Sequence, residues 1–285
     1  MARINRLWHA TAMAASYDGL LGPMQKLFGA TVMHDTQSEE PAVGRRGGMI
    51  WIGDNSIEIG APLGPVSPVR NFVEKWGGGM HSLALGIEDA PTALKQLEGV
   101  GVRPVAHVSE HIFFTHPGDT DGLMLEFSAT YTHDDPRWGY PLKPLPQPAL
   151  TPALKYSFVA AVVTDPQHTA ERMAEVFDTA VLRSNPNAAP NEIGAIVSMV
   201  DTCLVLYPMP TSAEQSTELW GQIITRNRFY GHGLTVEDLP GSLAKLEGAG
   251  VKAFRDAGDG QMLLDPAVTG VPTFLSGNLL PEDPR

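Results

Sequence analysis

The sequence predicts an α+β protein built twice over, each half running strand, helix, three strands, and then the same again. Three observations carry this. Residues 87–104 (IEDAPTALKQLEGVGVRP) and 236–253 (VEDLPGSLAKLEGAGVKA) agree at nine of 18 positions with a constant offset of 149, and the same offset carries Pro117 onto Pro266. A period as long as a domain marks a tandem duplication and not a solenoid. Between the halves, residues 136–152 hold six prolines, which cannot form a central strand or a helix interior. Finally, the chain is 285 residues long and 43% hydrophobic, enough for two domains with substantial cores. The expected division is residues 1–133, a Pro-rich linker at 134–153 and residues 154–285.

Each element has a local reason. Arg6–Ala14 and Lys155–Thr164 open the halves as strands. An amphipathic helix follows at Pro166–Asp178, with Ala170, Met173, Val176 and Phe177 on one face. In the first half the corresponding helix, ending at Leu27-Phe28-Gly29, is expected to be shorter and interrupted by Gly19, Gly22 and Pro23. Met49–Ile52 and Ile57–Ile59 flank Asp54-Asn55-Ser56, a hairpin signature. A helix-like stretch at Val69–Trp76 precedes the strand His81–Ile87. Asp89 caps the next helix, Pro91 stands in its first turn, Leu94 and Leu97 face the core, and Gly99 and Gly101 close it. The strand Ile112–His116, the turn Pro117-Gly118-Asp119 and the strand Leu123–Phe127 complete the half. The linker reads as an extended strap that Trp138 and Tyr140 pin to a surface.

Composition excludes several functions. The net charge is −12, against nucleic-acid binding and against an anionic membrane surface. No apolar run is long enough to span a bilayer, and Met1–His9 lacks a secretory h-region. Cys203, the single cysteine, rules out an intrachain disulfide and fits a cytoplasmic protein. The expected partner is a small molecule, with a homodimer as a further possibility.

The segments MQKLFGA, IGDNSIEIGAPLGPVSPVRNFVEKWGGGMHSLALGIED and FFTHPGDTDGLMLEF resemble the vicinal oxygen chelate superfamily (glyoxalases, bleomycin-resistance proteins, dioxygenases), and within it methylmalonyl-CoA epimerase-like members. The resemblance covers residues 5–130 and, more weakly, 154–278. It implies tandem vicinal oxygen chelate domains, each a pair of βαβββ modules curled into a cup. It also implies a divalent metal such as Co, Ni, Mn, Fe or Zn. The ligands would be a His on the first strand, a Gln or Glu before a Pro-containing turn, a His on the fifth strand and a Glu on the last. Carried over, these are His9, Glu58 (four residues before Pro62) and Glu126.

The third position is the difficult one. In His81-Ser82-Leu83-Ala84-Leu85-Gly86-Ile87 strict alternation turns Leu83, Leu85 and Ile87 to the core. Ser82 then faces the cup and His81 faces away. A bulge would turn His81 inward, and Gly77-Gly78-Gly79 permits one. Each residue has an ordinary structural explanation when taken alone: His9 as a core histidine, Glu58 and Glu126 as solvated strand residues. His34, His107, His133 and His168 read as solvated loop histidines, and His116 as a structural residue of its turn. Trp8, Trp51, Ser82 and His111 are the expected substrate contacts, His111 at the pocket mouth. At the offset of 149, His9, Ser82 and Glu126 fall on Phe158, Gly231 and Leu275, and Glu58 on Tyr207, or Leu204 if the turn prolines are aligned. The second half therefore lacks the site, and His232 matches none of its positions.

The resemblance implies proton abstraction next to a carbonyl, by an isomerase, epimerase or lyase acting on an acyl-CoA-like or ketone substrate. Glu126 is the first candidate for the base, with Glu58 as the second catalytic carboxylate. Epimerases place a further carboxylate on the strand matching Arg46–Ile52, and here that strand has none. The alternatives are a metal-free protein that sequesters a small molecule, with Trp8 and Trp51 stacking on it, and a ring-cleaving dioxygenase. Loss of the site from the second half counts against the dioxygenase.

Overall fold

The computed structural model describes residues 3–39, 44–64, 66–130, 134–145 and 147–285, so His133 and Pro146 lie outside the described residues. In the first half the strands are β1 (Arg6–Met13), β2 (Thr31–Ser38), β3 (Arg45–Ile52), β4 (Asn55–Pro62), β5 (Gly79–Gly86), β6 (Pro104–His107), β7 (Ile112–Thr115) and β8 (Met124–Ser128). Helices α1 (Tyr17–Phe28), α2 (Arg70–Trp76) and α3 (Ala90–Gly99) intervene. The sheet order β2-β3-β4-β1-β5-β8-β7-β6 joins two βαβββ modules along the antiparallel β1–β5 seam.

The second half repeats the plan with β9 (Lys155–Val163), α4 (Pro166–Phe177), β10 (Val181–Ser184), β11 (Ala195–Ser198), β12 (Cys203–Pro208), α5 (Ala213–Trp220), β13 (Arg228–Thr235), α6 (Leu239–Gly248), β14 (Ala253–Asp256), β15 (Met262–Leu264), α7 (Pro266–Thr269) and β16 (Thr273–Ser276). Its order, β10-β11-β12-β9-β13-β16-β15-β14, is the same permutation. The bounds of α1 and α4, β5 and β13, and α3 and α6 differ by the offset of 149 read from the sequence.

One expectation needs correction. Helix α1 is not interrupted: it runs unbroken through Pro23, from the Ser16 cap to a left-handed Gly29. Burial of Leu20, Met24, Leu27 and Phe28 along one face outweighs the hydrogen bond that proline removes.

The β1–β5 seam carries two irregularities. Pairing passes from Leu7↔Leu85 to His9↔Ala84, leaving Trp8 as an extra residue, and from Thr11↔Ser82 to Ala12↔Met80, leaving His81 extra. In the second half the extra residues are Ser157 and Tyr230, again 149 positions on. A bulge interrupts the ladder and strands carbonyl groups. The carbonyls of Leu7 and Trp8 are met by the Arg137 guanidinium, itself forked onto Asp135. In the second half Arg285, forked onto Asp283, donates to the carbonyl of Tyr156. Each half thus closes with an Asp-Pro-Arg triplet, at residues 135–137 and 283–285.

The two faces of the sheets differ sharply. One apolar cluster runs through both halves, joining Leu7, Ala10, Leu83 and Leu85 with Val159, Ala161, Leu204 and Leu234. The contacts across this junction are reciprocal. Leu7 N–H donates to Asp201 and Tyr156 N–H to Asp54, each at 2.8 Å. Such exchange is the mark of a two-fold interface, here folded into one chain. On its other face the second sheet is packed solid by Phe158, Val205, Tyr207, Trp220, Tyr230 and Phe274. The opposite face of the first sheet carries the polar groups considered next.

Candidate active site

Two rows of paired residues cross the middle of the first sheet. One runs from His9 on β1 through Ala84 on β5 and Glu126 on β8 to Phe114 on β7. The other runs from Glu58 on β4 through Thr11 and Ser82 to Met124. Because Ile57, Ile59, Leu83, Leu85, Leu125 and Phe127 enter the core, alternation turns Glu58, Ser82, Ala84 and Glu126 into the cup. Ala84 is small, so a gap about two strand spacings, or ~10 Å, wide separates the backbones bearing His9 and Glu126.

Glu58 is the hub. Its Oε1 accepts from Arg45 Nη2 at 2.5 Å, and its Oε2 lies 3.6 Å from His9 Nε2 and 3.4 Å from Thr11 Oγ1. Burial favours the neutral acid, but His9, Arg45 and then His81 reverse this and hold the carboxyl at about 2. Glu126 moves the other way. Burial raises it, and the Glu58 charge adds to the rise against the pull of His9 and Arg45. His81, the bulged residue of β5, packs edge-on against Phe72 of α2. Burial lowers its imidazole to about 4, with Glu58 opposing, so it is neutral at pH 7. Neither ring nitrogen of His9 has a hydrogen-bond partner among the described residues.

The structure thus gathers His9, Glu58, Ser82, His81 and Glu126, with Arg45 added. Trp51 also faces the cup, at the end near Met33 and Met49. Trp8, the extra residue of β1, lies beneath the strap against Trp138 and shares the Arg137 guanidinium with Trp51. His111 is exposed in the β6–β7 turn, 3.3 Å from Glu110, apart from this cluster. In the second half, strand pairing puts Phe158 and Gly231 where His9 and Ser82 stand, as the offset predicts. The counterpart of Glu126 is Phe274, not Leu275, because β16 is displaced by one residue. The counterpart of Glu58 is Val205 rather than Tyr207 or Leu204. All of these second-half positions are apolar, which fills that cup.

Arg45 was not singled out from the sequence. The signal was present: with Ile50 and Ile52 in the core, alternation along β3 sends Arg45, Gly47, Met49 and Trp51 to the other face.

The donors, two imidazoles and two carboxylates, are of the kind that binds a divalent ion. Their arrangement does not fit one. Among the described residues no three His, Cys, Asp or Glu side chains are placed to hold a metal, and the Arg45 guanidinium sits on the Glu58 carboxylate.

Glu58→Gln tests the hub. The folded carboxyl ionises near 2 and the ordinary one near 4.5, so its stabilisation is complete above pH 4.5 and disappears as pH falls toward 2. At pH 7 the substitution is expected to cost about 2–3 kcal/mol. The difference in urea unfolding free energy from wild type should vanish near pH 2. His81 adds a second acid-side loss, because its folded pKa is lowered: stability falls as pH drops from 6.5 toward 4.

No protein-family model matches the chain. A 4-hydroxymandelate synthase variant from Streptomyces coelicolor superposes with a TM-score of 0.68 at 15% identity, covering 96% of this chain and 92% of that one. The chain therefore has the two-domain fold of that protein, the vicinal oxygen chelate fold that the sequence led us to expect. In sequence it is 28% identical over 131 residues to the ethylmalonyl-CoA/methylmalonyl-CoA epimerase of Cereibacter sphaeroides, covering 43% of this chain and 96% of the relative. It is also 27% identical over 132 residues to the mitochondrial methylmalonyl-CoA epimerase of Dictyostelium discoideum, covering 43% and 77%. Among the described residues no helix is long and apolar enough to cross a membrane.

Proposed function

We propose that the first half is an acid–base enzyme that abstracts a proton next to a carbonyl, an isomerase, epimerase or lyase acting on an acyl-CoA-like or ketone substrate. The observation that carries this is the divergence of two carboxyls in one cup: Glu58 held ionised, Glu126 pushed toward the neutral form. Such a pair assigns the acid–base role to the raised member. The relatives named for epimerisation of methylmalonyl-CoA support a thioester as the first substrate class to try.

In this reading the Glu126 carboxylate takes the proton. The C–H bond breaks, its electron pair becomes the enolate π bond, and the carbonyl oxygen takes up the negative charge. Return of the proton to carbon, or departure of a group from the adjacent carbon, completes the turnover. Net charge in the cup is unchanged, since the carboxylate is neutralised as the enolate forms. Trp51 and Phe114 bound the apolar part of the cup, and Ser82 supplies a hydroxyl. His81, neutral at working pH, can donate or accept one hydrogen bond. No step is assigned to a metal.

The test is solvent exchange. Malonyl-type thioesters and aryl ketones are incubated with the protein in D2O, and the α-proton signal is followed by NMR. Loss of that signal with wild type is the expected result. Absence of exchange from every carbon acid tried, together with tight retention of an unreacted ligand, would establish the sequestering protein instead.

A further inference from the structure

We propose that Arg45 is the cation of this cup, receiving the substrate oxygen on which negative charge develops at the place where the fold elsewhere uses a metal ion. The inference rests on the proton-abstraction reading and adds to it the group that stabilises the enolate. Four features of the site support it. Arg45 Nη2 is 2.5 Å from Glu58 Oε1, and Glu58 in turn contacts His9, so the guanidinium is tied into the hub of the donor set. The next cup-facing residue on β3, Gly47, has no side chain, and a Cβ there would lie 3.6 Å from Arg45 Nε. The arginine therefore lies along its own strand, over the space a larger residue would take. Its side chain is 32% exposed while that of Glu58 is 17% exposed; the guanidinium reaches solvent while its counter-ion lies deeper.

The fourth feature is chemical. A guanidinium carries five N–H donors, and the described hydrogen bond of the Arg45 side chain uses one of them. The remaining fork suits a planar enolate or carboxylate oxygen pair. As the proton moves to Glu126, charge leaves a desolvated carboxylate for an oxygen beside a fixed cation, the arrangement that lowers an enolisation barrier. The guanidinium occupies Glu58 Oε1 and places a positive charge beside the carboxylate, so it opposes a metal ion on Glu58.

Two probes test this independently of turnover. Oxalate, a planar dianion resembling an enediolate, is titrated calorimetrically into wild type, Arg45→Lys and Arg45→Met. Binding by wild type should weaken by about 100-fold in Arg45→Met, the loss expected for a charge-assisted pair, and less in Arg45→Lys. Cobalt(II) is then titrated with visible absorption as the readout. Arg45→Met, with Glu58 released, should bind cobalt about 100-fold more tightly than wild type, and Arg45→Lys should not. Stoichiometric cobalt binding by wild type as tight as by Arg45→Met would overturn the proposal, as would oxalate affinity indifferent to residue 45. If Arg45→Met does not fold, judged by circular dichroism, wild type and Arg45→Lys decide the matter on the same two readouts. Failure of solvent exchange in D2O bears instead on the proton-abstraction reading and leaves both titrations interpretable.

Discussion

Replacing Glu126 by Gln is expected to lower solvent exchange by about 10³-fold, the contribution of a well-placed general base, while raising the melting temperature. The two effects share one cause. Glu126 is 8% exposed and its folded pKa is raised, chiefly by burial, so the folded protein holds that proton more tightly than the unfolded chain does. Stability is therefore lost as pH rises from the ordinary carboxylate value to the raised one, and wild type carries that penalty at neutral pH. The amide has no charge to desolvate and escapes it. Differential scanning calorimetry at pH 7 should show the variant more stable than wild type, with the gap closing on acidification. The exchange rate of wild type should climb with pH as Glu126 ionises and then level off. A variant that keeps its exchange rate would remove Glu126 from the mechanism; one less stable than wild type at pH 7 would mean that the carboxylate is paired in solution.

The cup-facing position of Ser82 could be read from the sequence because Leu83, Leu85 and Ile87 fix the face of its strand, whereas His9, Glu58 and Glu126 came from the family resemblance and not from alternation. His81 could not be read this way, because it is the extra residue of a bulge, and period-two alternation assigns the face wrongly on one side of every bulge. Only the three preceding glycines hinted at it. The displacement of β16, which turns Phe274 rather than Leu275 into the second cup, is likewise a one-residue change with no compositional mark. Duplication was plain at residues 87–104 because helix and turn chemistry constrains those positions closely. The Asp-Pro-Arg triplets repeat at an offset of 148, just out of register, and the first lies in a segment dominated by its prolines.

Arg137→Ala is expected to destabilise the protein by about 3–5 kcal/mol, the cost of leaving a buried charge without its partner. Asp135 is fully buried, and Arg137 Nη2 lies 2.6 Å from its Oδ2. The same guanidinium donates to the carbonyls of Leu7 and Trp8 at 3.0 and 2.9 Å, and stacks over the Trp8 and Trp51 rings at 5.3 and 5.7 Å. Its loss strands the carboxylate and the Leu7 carbonyl together, while the Trp8 carbonyl keeps the Ser56 hydroxyl at 2.9 Å. Removing the charge as well, in Asp135→Asn with Arg137→Ala, should recover part of the loss, so the double-mutant cycle should show strong coupling in chemical denaturation. Additive single effects would mean that the triplet is a surface turn. Exchange activity should fall too, since Trp51 borders the cup.

The reciprocal junction between the halves bears on how the molecule responds to dilution. Two copies of a single-domain ancestor joined through the same face would separate at low concentration, their stability set by mass action. A covalent tether makes the association intramolecular, with an effective concentration in the millimolar range for a short linker. The melting temperature of the intact chain should therefore not depend on protein concentration. Leu142 and its neighbours from Pro141 to Pro144 are exposed or nearly so, so a protease site engineered there would leave both sheets intact. Cleavage would turn one chain into a two-component complex whose melting temperature falls on dilution, and the slope of that dependence would measure the strength of the junction.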